Sequence, residues 1–154
     1  RTLGMELEAA VQPFKFFRAQ GMLTVQDPRY TLFDEGSGDF SGNRIRRIPQ
    51  VLADVTGTFM WGNANLALNW NYVGHRFSNN ANTVDLPGFG LFNVSAGYTF
   101  ENFTLSLQLH NALNSYGLTE GNPRVDESLG AVSDIFLARP VLPRRLTVSL
   151  AARL

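Results

Sequence analysis

Apolar and polar residues alternate along most of this chain, and the alternation has period two. Met5, Leu7, Ala9 and Val11 alternate with Glu6, Glu8, Ala10 and Gln12, and Phe17, Ala19, Gly21, Leu23 and Val25 with Arg18, Gln20, Met22, Thr24 and Gln26. The same template fits Leu52–Trp61, Asn65–Tyr72, Phe92–Phe100, Phe103–His110 and Arg145–Leu154, which makes seven segments in all. Successive side chains of a strand point to opposite faces, so this pattern predicts seven strands, each with one apolar and one polar face. The polar positions are mostly Asn, Ser, Thr, Gln and Glu.

The connections predict how the strands are joined. Pro13 with its neighbours, Gly62-Asn63 and Glu101-Asn102 read as tight turns, whereas Asp27 to Pro49, Ser78 to Gly90 and Asn114 to Pro143 are long and rich in Gly, Pro, Asn and charge. Short and long connections alternate strictly. A meander of this kind puts every short turn at one end and every long loop at the other, as outer-membrane barrels do. Strands of about 10 residues at ~3.3 Å each, tilted by ~45°, cover roughly the 25 Å apolar band of such a barrel. Aromatic residues fall toward the strand ends: Phe59, Trp61, Tyr98, Phe100 and Phe103 on the short-turn side, Trp70, Tyr72, Phe77 and Phe92 on the long-loop side. Two interfacial girdles require that placement. Ordinary core aromatics of a soluble sandwich are the competing reading.

Composition narrows the field. The 154 residues carry 13 basic and 13 acidic side chains, so the net charge is zero and nucleic acid is not expected as a partner. Charged residues are 17% of the chain, below the roughly 25% of an average soluble domain, and hydrophobic residues are 44%. The absence of cysteine excludes disulfide frameworks, Cys-ligated metals and thiol nucleophiles. No apolar run approaches the ~20 residues of a membrane-spanning helix, which leaves barrels untouched. The chain opens on Arg1 with no signal-like segment, so it reads as processed or as a piece of a longer protein.

Several local patterns, in order, resemble the C-terminal part of the β-barrel of a TonB-dependent outer-membrane receptor. Gly4-Met5-Glu6-Leu7-Glu8 is similar to the family's Gly-x-Glu-x-Glu strand opening, and Arg47-Ile48-Pro49 to its Pro-marked strand entry. Tyr72-Val73-Gly74-His75-Arg76, then Asn82-Thr83 and Leu86-Pro87-Gly88-Phe89, is similar to its Tyr-x-Gly-x-Arg pattern and the loop that follows. His110-Asn111-Ala112-Leu113-Asn114 resembles the end of its penultimate strand, and Pro143-Arg144 the entry to its last. Leu154 stands where the family usually ends in Phe or Trp.

The resemblance implies an all-β fold, an antiparallel transmembrane β-barrel segment of about seven strands, incomplete because such transporters close about 22 strands around a plug. It implies one domain, 1–154, as the C-terminal part of the barrel with the plug absent. It also implies a bacterial outer-membrane location and TonB-energised uptake of a scarce solute: a siderophore, another chelate or an oligosaccharide. The partners it implies are outer-membrane lipid, an extracellular small-molecule ligand, TonB through the missing N-terminal region, and the barrel-assembly machinery. A barrel enzyme and a secreted sandwich that binds a ligand are the alternatives.

No catalytic set is expected. Glu6 and Glu8 share a face without catalytic company, and they read as lumen-facing charges. The two histidines, His75 and His110, lack metal-ligand spacing, so no metal or cofactor is assigned. Ligand residues concentrate on loops held by a rigid scaffold. The candidates are therefore Arg29, Tyr30 and Arg44 in the first long loop, and Tyr116, Arg124, Asp126, Glu127 and Phe136 in the third. Such aromatic, Arg and carboxylate side chains supply stacking and charge-assisted hydrogen bonds.

Overall fold

A computed structural model describes residues 1–35, 38–123 and 136–153. Seven long strands form one antiparallel sheet: β1 (Thr2–Phe14), β2 (Phe17–Pro28), β5 (Val51–Trp61), β6 (Ala64–Val73), β9 (Phe89–Phe100), β10 (Phe103–His110) and β13 (Arg145–Ala152), paired in that order. The sheet is open, with β1 and β13 at its edges. The three long loops each carry a short two-stranded ribbon: β3 (Asp34–Glu35) with β4 (Gly38–Asp39), β7 (Arg76–Phe77) with β8 (Asp85–Leu86), and β11 (Leu118–Pro123) with β12 (Phe136–Pro140). These ribbons are too short to leave a period in the sequence.

Register joins the apolar positions into one continuous surface. Leu7 stands opposite Leu23, Leu23 opposite Ala53, Val55 opposite Trp70, Leu68 opposite Val94, and Leu107 opposite both Ala96 and Val148. This surface is bare: Leu7 is 57% exposed, Val148 59% and Leu150 66%. Among the described residues the buried hydrophobic side chains are Leu86 and Phe89, both at the loop end. A soluble sandwich would cover its apolar face with a second sheet about 10 Å away. Among the described residues no second sheet covers it, and the lipid-facing reading accounts for the exposure. The opposite face is polar and hollow, with a concavity of about 500 Å³ lined in part by Glu8, Gln20, Met22 and Asp54.

The girdle at the short-turn end is a chain of stacked rings. Phe14–Phe16 centroids are 5.3 Å apart, Phe59–Trp61 5.6 Å and Phe100–Phe103 5.4 Å. At the other end Trp70 stacks on Tyr72 at 5.6 Å, beside Phe92 in register. From Phe92 to Phe100 is roughly 26 Å along the strand at ~3.3 Å per residue, or about 20 Å across a bilayer for a strand tilted ~40°. That is close to the thickness of the apolar band. Phe77 stands outside this girdle: it lies in the loop ribbon β7, edge-on to His75 at 4.9 Å.

Two of the tight turns sit where expected, with Gly62 and Glu101 at positive φ (52° and 46°), which two-residue hairpins favour. The first differs. Pro13 lies inside β1, and the turn falls two residues later at Lys15-Phe16, between the paired Phe14 and Phe17. Register shifts between Val11 and Phe14, and a bulge tolerates a residue without an N–H.

Candidate functional site

The long loops hold one another through side chain to backbone hydrogen bonds. Asn82, at φ 57°, clamps the first loop from the second: its Nδ2 donates to Arg44 O at 2.9 Å while its Oδ1 accepts from Arg44 N at 2.7 Å. Asn tolerates this left-handed conformation better than most residues. Next to it the Tyr30 hydroxyl donates to Asn80 Oδ1 at 2.9 Å, and Asn43 Nδ2 donates to Asn80 O at 2.9 Å. Tyr30 also stacks on Phe33 with centroids 4.4 Å apart. The tip of the first loop is tightened by Asp39, whose carboxylate accepts from the hydroxyl and backbone N–H of Ser41. These bonds hold its pKa below the usual carboxylate value.

The second loop grips the third through Arg76, a guanidinium only 4% exposed. It donates to Leu118 O, to Thr119 O at 3.0 Å and to Gly74 O at 3.4 Å, and lies over the Phe89 ring at 5.6 Å. Burial lowers its pKa from the ordinary guanidinium value, but an arginine stays charged. Its charge is met by carbonyl dipoles and an aromatic face. The Ser78 hydroxyl, itself buried, donates to Gly121 O. Two glycines permit the close approach. A Cβ on Gly74 would stand 2.8 Å from Val51 O, and one on Gly117 would stand 2.4 Å from the Phe89 ring. Glu120 completes the ring of contacts, with Arg47 of the first loop at 3.3 Å and Arg139 at 3.6 Å.

Asn111, 3% exposed and at φ 48°, gathers both ends of the third loop. Its Nδ2 donates to Ser115 O at 2.9 Å and Leu142 O at 3.0 Å, and its Oδ1 accepts from Ser115 N at 2.8 Å. Asn93 Oδ1 accepts from Asn111 N, and Asn93 Nδ2 donates to Asn69 Oδ1, both at 3.0 Å. Asn69 Nδ2 in turn meets both oxygens of Asp54 at 3.0 Å. A ladder of amides thus runs across the polar face from Asp54 to the root of the third loop.

The structure brings Arg29, Tyr30 and Arg44 together, but in bracing contacts. Arg29 Nε reaches Asp27 at 2.7 Å and its Nη1 donates to Gly42 O at 2.9 Å, while Arg44 Nε lies 3.4 Å from Asp27. Tyr116 stands apart, 76% exposed at the root of the third loop. Phe136 opens β12, paired in register with Pro123. Arg124, Asp126 and Glu127 lie outside the described residues. Arg76, Asn82 and Asn111 carry the architecture of the mouth and were not among the sequence candidates. Their only sequence signal was their place in the quoted motifs.

A family model described as TonB dependent receptor-like, beta-barrel, matches residues 1–112. No curated protein matches in sequence. Among solved structures, the siderophore receptor PiuA from Acinetobacter baumannii aligns with TM-score 0.76 at 16% identity, over 97% of this chain and 21% of that one. The ferric yersiniabactin uptake receptor FyuA from Yersinia pestis aligns with TM-score 0.75 at 16% identity, over 97% and 22%. BauA, the ferric preacinetobactin receptor from Acinetobacter baumannii, aligns with TM-score 0.68 at 21% identity, over 97% and 21%. At these identities the likeness is one of fold. The chain spans about a fifth of the length of these receptors.

Proposed function

The chain belongs to the TonB-dependent receptor β-barrel family, and from that premise we propose that it forms the C-terminal part of an outer-membrane importer's barrel. The carrying observation is the pairing of a bare apolar face, bounded by aromatic belts, with long loops bolted together at one end. The order of Asn111, Leu113 and Asn114, then Pro143-Arg144 before the last strand, supports the C-terminal placement. The plug, and the contact with TonB that energises uptake, belong in this reading to the remainder of the receptor. Membrane lipid and the barrel-assembly machinery are its other partners. No catalytic role is proposed.

In this reading the loop cluster forms part of the outer mouth and captures a scarce solute, most simply a metal chelate, as cargo. Tyr116, Arg124, Asp126, Glu127 and Phe136 of the third loop supply stacking and charge, while Arg29, Tyr30 and Arg44 brace the first loop beside them. The anchors at Leu118, Thr119 and Gly121 define a clean test. In the complete receptor, residues 124–135 are replaced by a short Gly/Ser linker, leaving those anchors in place. Heat-modifiable migration should persist, while whole-cell uptake of a panel of ferric chelates and oligosaccharides should fall for the native cargo. Unchanged uptake by an inserted receptor would remove this segment from ligand capture.

A further inference from the structure

We propose that Asp54 is a positioning residue for the third loop, acting from β5 across β6 and β9 through the fixed sense of the amide chain Asn69, Asn93 and Asn111. The two ends of that chain set its sense. An ionised carboxylate only accepts, and a backbone N–H only donates. Both oxygens of Asp54 accept from Asn69 Nδ2 at 3.0 Å, so Asn69 turns its Oδ1 toward β9. There it accepts from Asn93 Nδ2 at 3.0 Å, which leaves Asn93 Oδ1 to accept from Asn111 N at 3.0 Å. Turning either amide round would set donor against donor on one side and oxygen against oxygen on the other. Asn71 Nδ2 and the Thr56 hydroxyl, each 3.4 Å from the carboxylate, add donors at the same end.

The sense matters most at Asn111. This residue is buried at the loop root in a left-handed conformation, and its N–H has its partner in Asn93 Oδ1. A buried N–H that loses its partner bears the full desolvation of the group, so Asn111 keeps its seat while Asn93 keeps that oxygen turned to it. From that seat its side chain clasps Ser115 and Leu142, one at each end of the third loop. Three steps between neighbouring strands, at ~4.8 Å each, put the clasp about 14 Å from the carboxylate. Asp54 meanwhile lines the open recess on the polar face, so the chain joins the interior wall to the mouth. Charge is what biases it, because hydrogen bonds to an ionised acceptor are roughly twice as strong as neutral ones. An amide at position 54 both donates and accepts, and would open the reversed sense to Asn69.

Only the consequence for uptake rests on the proposed role of the third loop, and the experiment separates the two. Hydrogen exchange is followed by mass spectrometry in the complete receptor in nanodiscs, over residues 111–116, which hold the bonded N–H groups of Asn111 and Ser115. Asp54→Asn keeps the size and removes the charge, and should speed exchange there about fivefold while residues 103–109 of β10 keep their rate. Asp54→Asn combined with Asn69→Asp moves the carboxylate one rung along the chain. At position 69 it still accepts from Asn93 Nδ2, so the sense survives and exchange should return to within about twofold of wild type. A purely local role for Asp54 would not be rescued by a carboxylate on the neighbouring strand. Unchanged exchange in the single variant would overturn the proposal, as would a double variant that exchanges as fast as the single one. Equal loss over 103–109 would overturn it too, since that marks general loosening of the sheet. An inserted wild-type receptor that takes up no member of the chelate and oligosaccharide panel would refute the proposed function, while the exchange rates still decide this inference.

Discussion

Replacing Arg76 with Met should undock the third loop while leaving the strands intact. Met keeps much of the apolar stem against Phe89 and deletes the charge and donors. The guanidinium donates to Leu118 O and Thr119 O, and its third contact, to Gly74 O, is long at 3.4 Å. Hydrogen bonds to charged groups contribute about 1.5–3 kcal/mol each, so the gross loss is about 3–6 kcal/mol. Two effects reduce it. A neutral side chain no longer bears the desolvation of a buried guanidinium, and the freed carbonyls reach water once the loop lifts. A net cost of about 2–4 kcal/mol to docking remains, which at 1.4 kcal/mol per decade is an opening constant raised roughly 30- to 1,000-fold. Hydrogen exchange on the complete receptor in nanodiscs reads this directly. Peptides over 114–123 and 136–142 should lose protection by that factor, while β10 and β13 keep theirs, because their ladder does not pass through Arg76. Unchanged exchange in those loop peptides, or equal loss in β10, would show that Arg76 is not the tie between these loops.

Two further outcomes test the faces and the close packing. Leu107, 40% exposed between Ala96 and Val148, should cost about 2–4 kcal/mol as Leu107→Arg in a folding titration of the complete barrel, and Gln108→Arg on the polar face should cost much less. Gly117→Ala should loosen the third loop by about 1–3 kcal/mol, because its new Cβ would fall 2.4–2.7 Å from Phe89 atoms. In hydrogen exchange it should add little to Arg76→Met, since both act on the same docked state.

The strands were legible because each presents one apolar and one polar face, which writes period two into every segment from Met5 to Leu150. Their boundaries were legible where turn chemistry is local, at Gly62 and Glu101, and not at Pro13, where the local signal of proline lost to a bulge within β1. The mouth was far less legible. Arg29, Tyr30 and Arg44 stand out in the sequence by side-chain type, and type does not distinguish a side chain facing a solute from one tied to Asp27 or Asn80. The bonds made by Asn82, Arg76 and Asn111 go to backbone carbonyls and amides of residues 31 to 43 positions away in several cases, and such bonds follow no periodicity.

The placement of burial suggests where this part of the molecule is cooperative. Among the described residues, Arg76, Ser78, Leu86, Phe89 and Asn111, all 8% exposed or less, sit at the loop end, and Thr24, 9% exposed, lies in the loop-side half of β2. The sheet is stabilised by its ladder and its surroundings, and the loops by each other. Three loops joined by Asn82, Arg76, Ser78 and Glu120 cannot shift independently without breaking charge-assisted or buried hydrogen bonds. In the proposed reading the first two loops and residues 114–121 of the third therefore frame the mouth as one body.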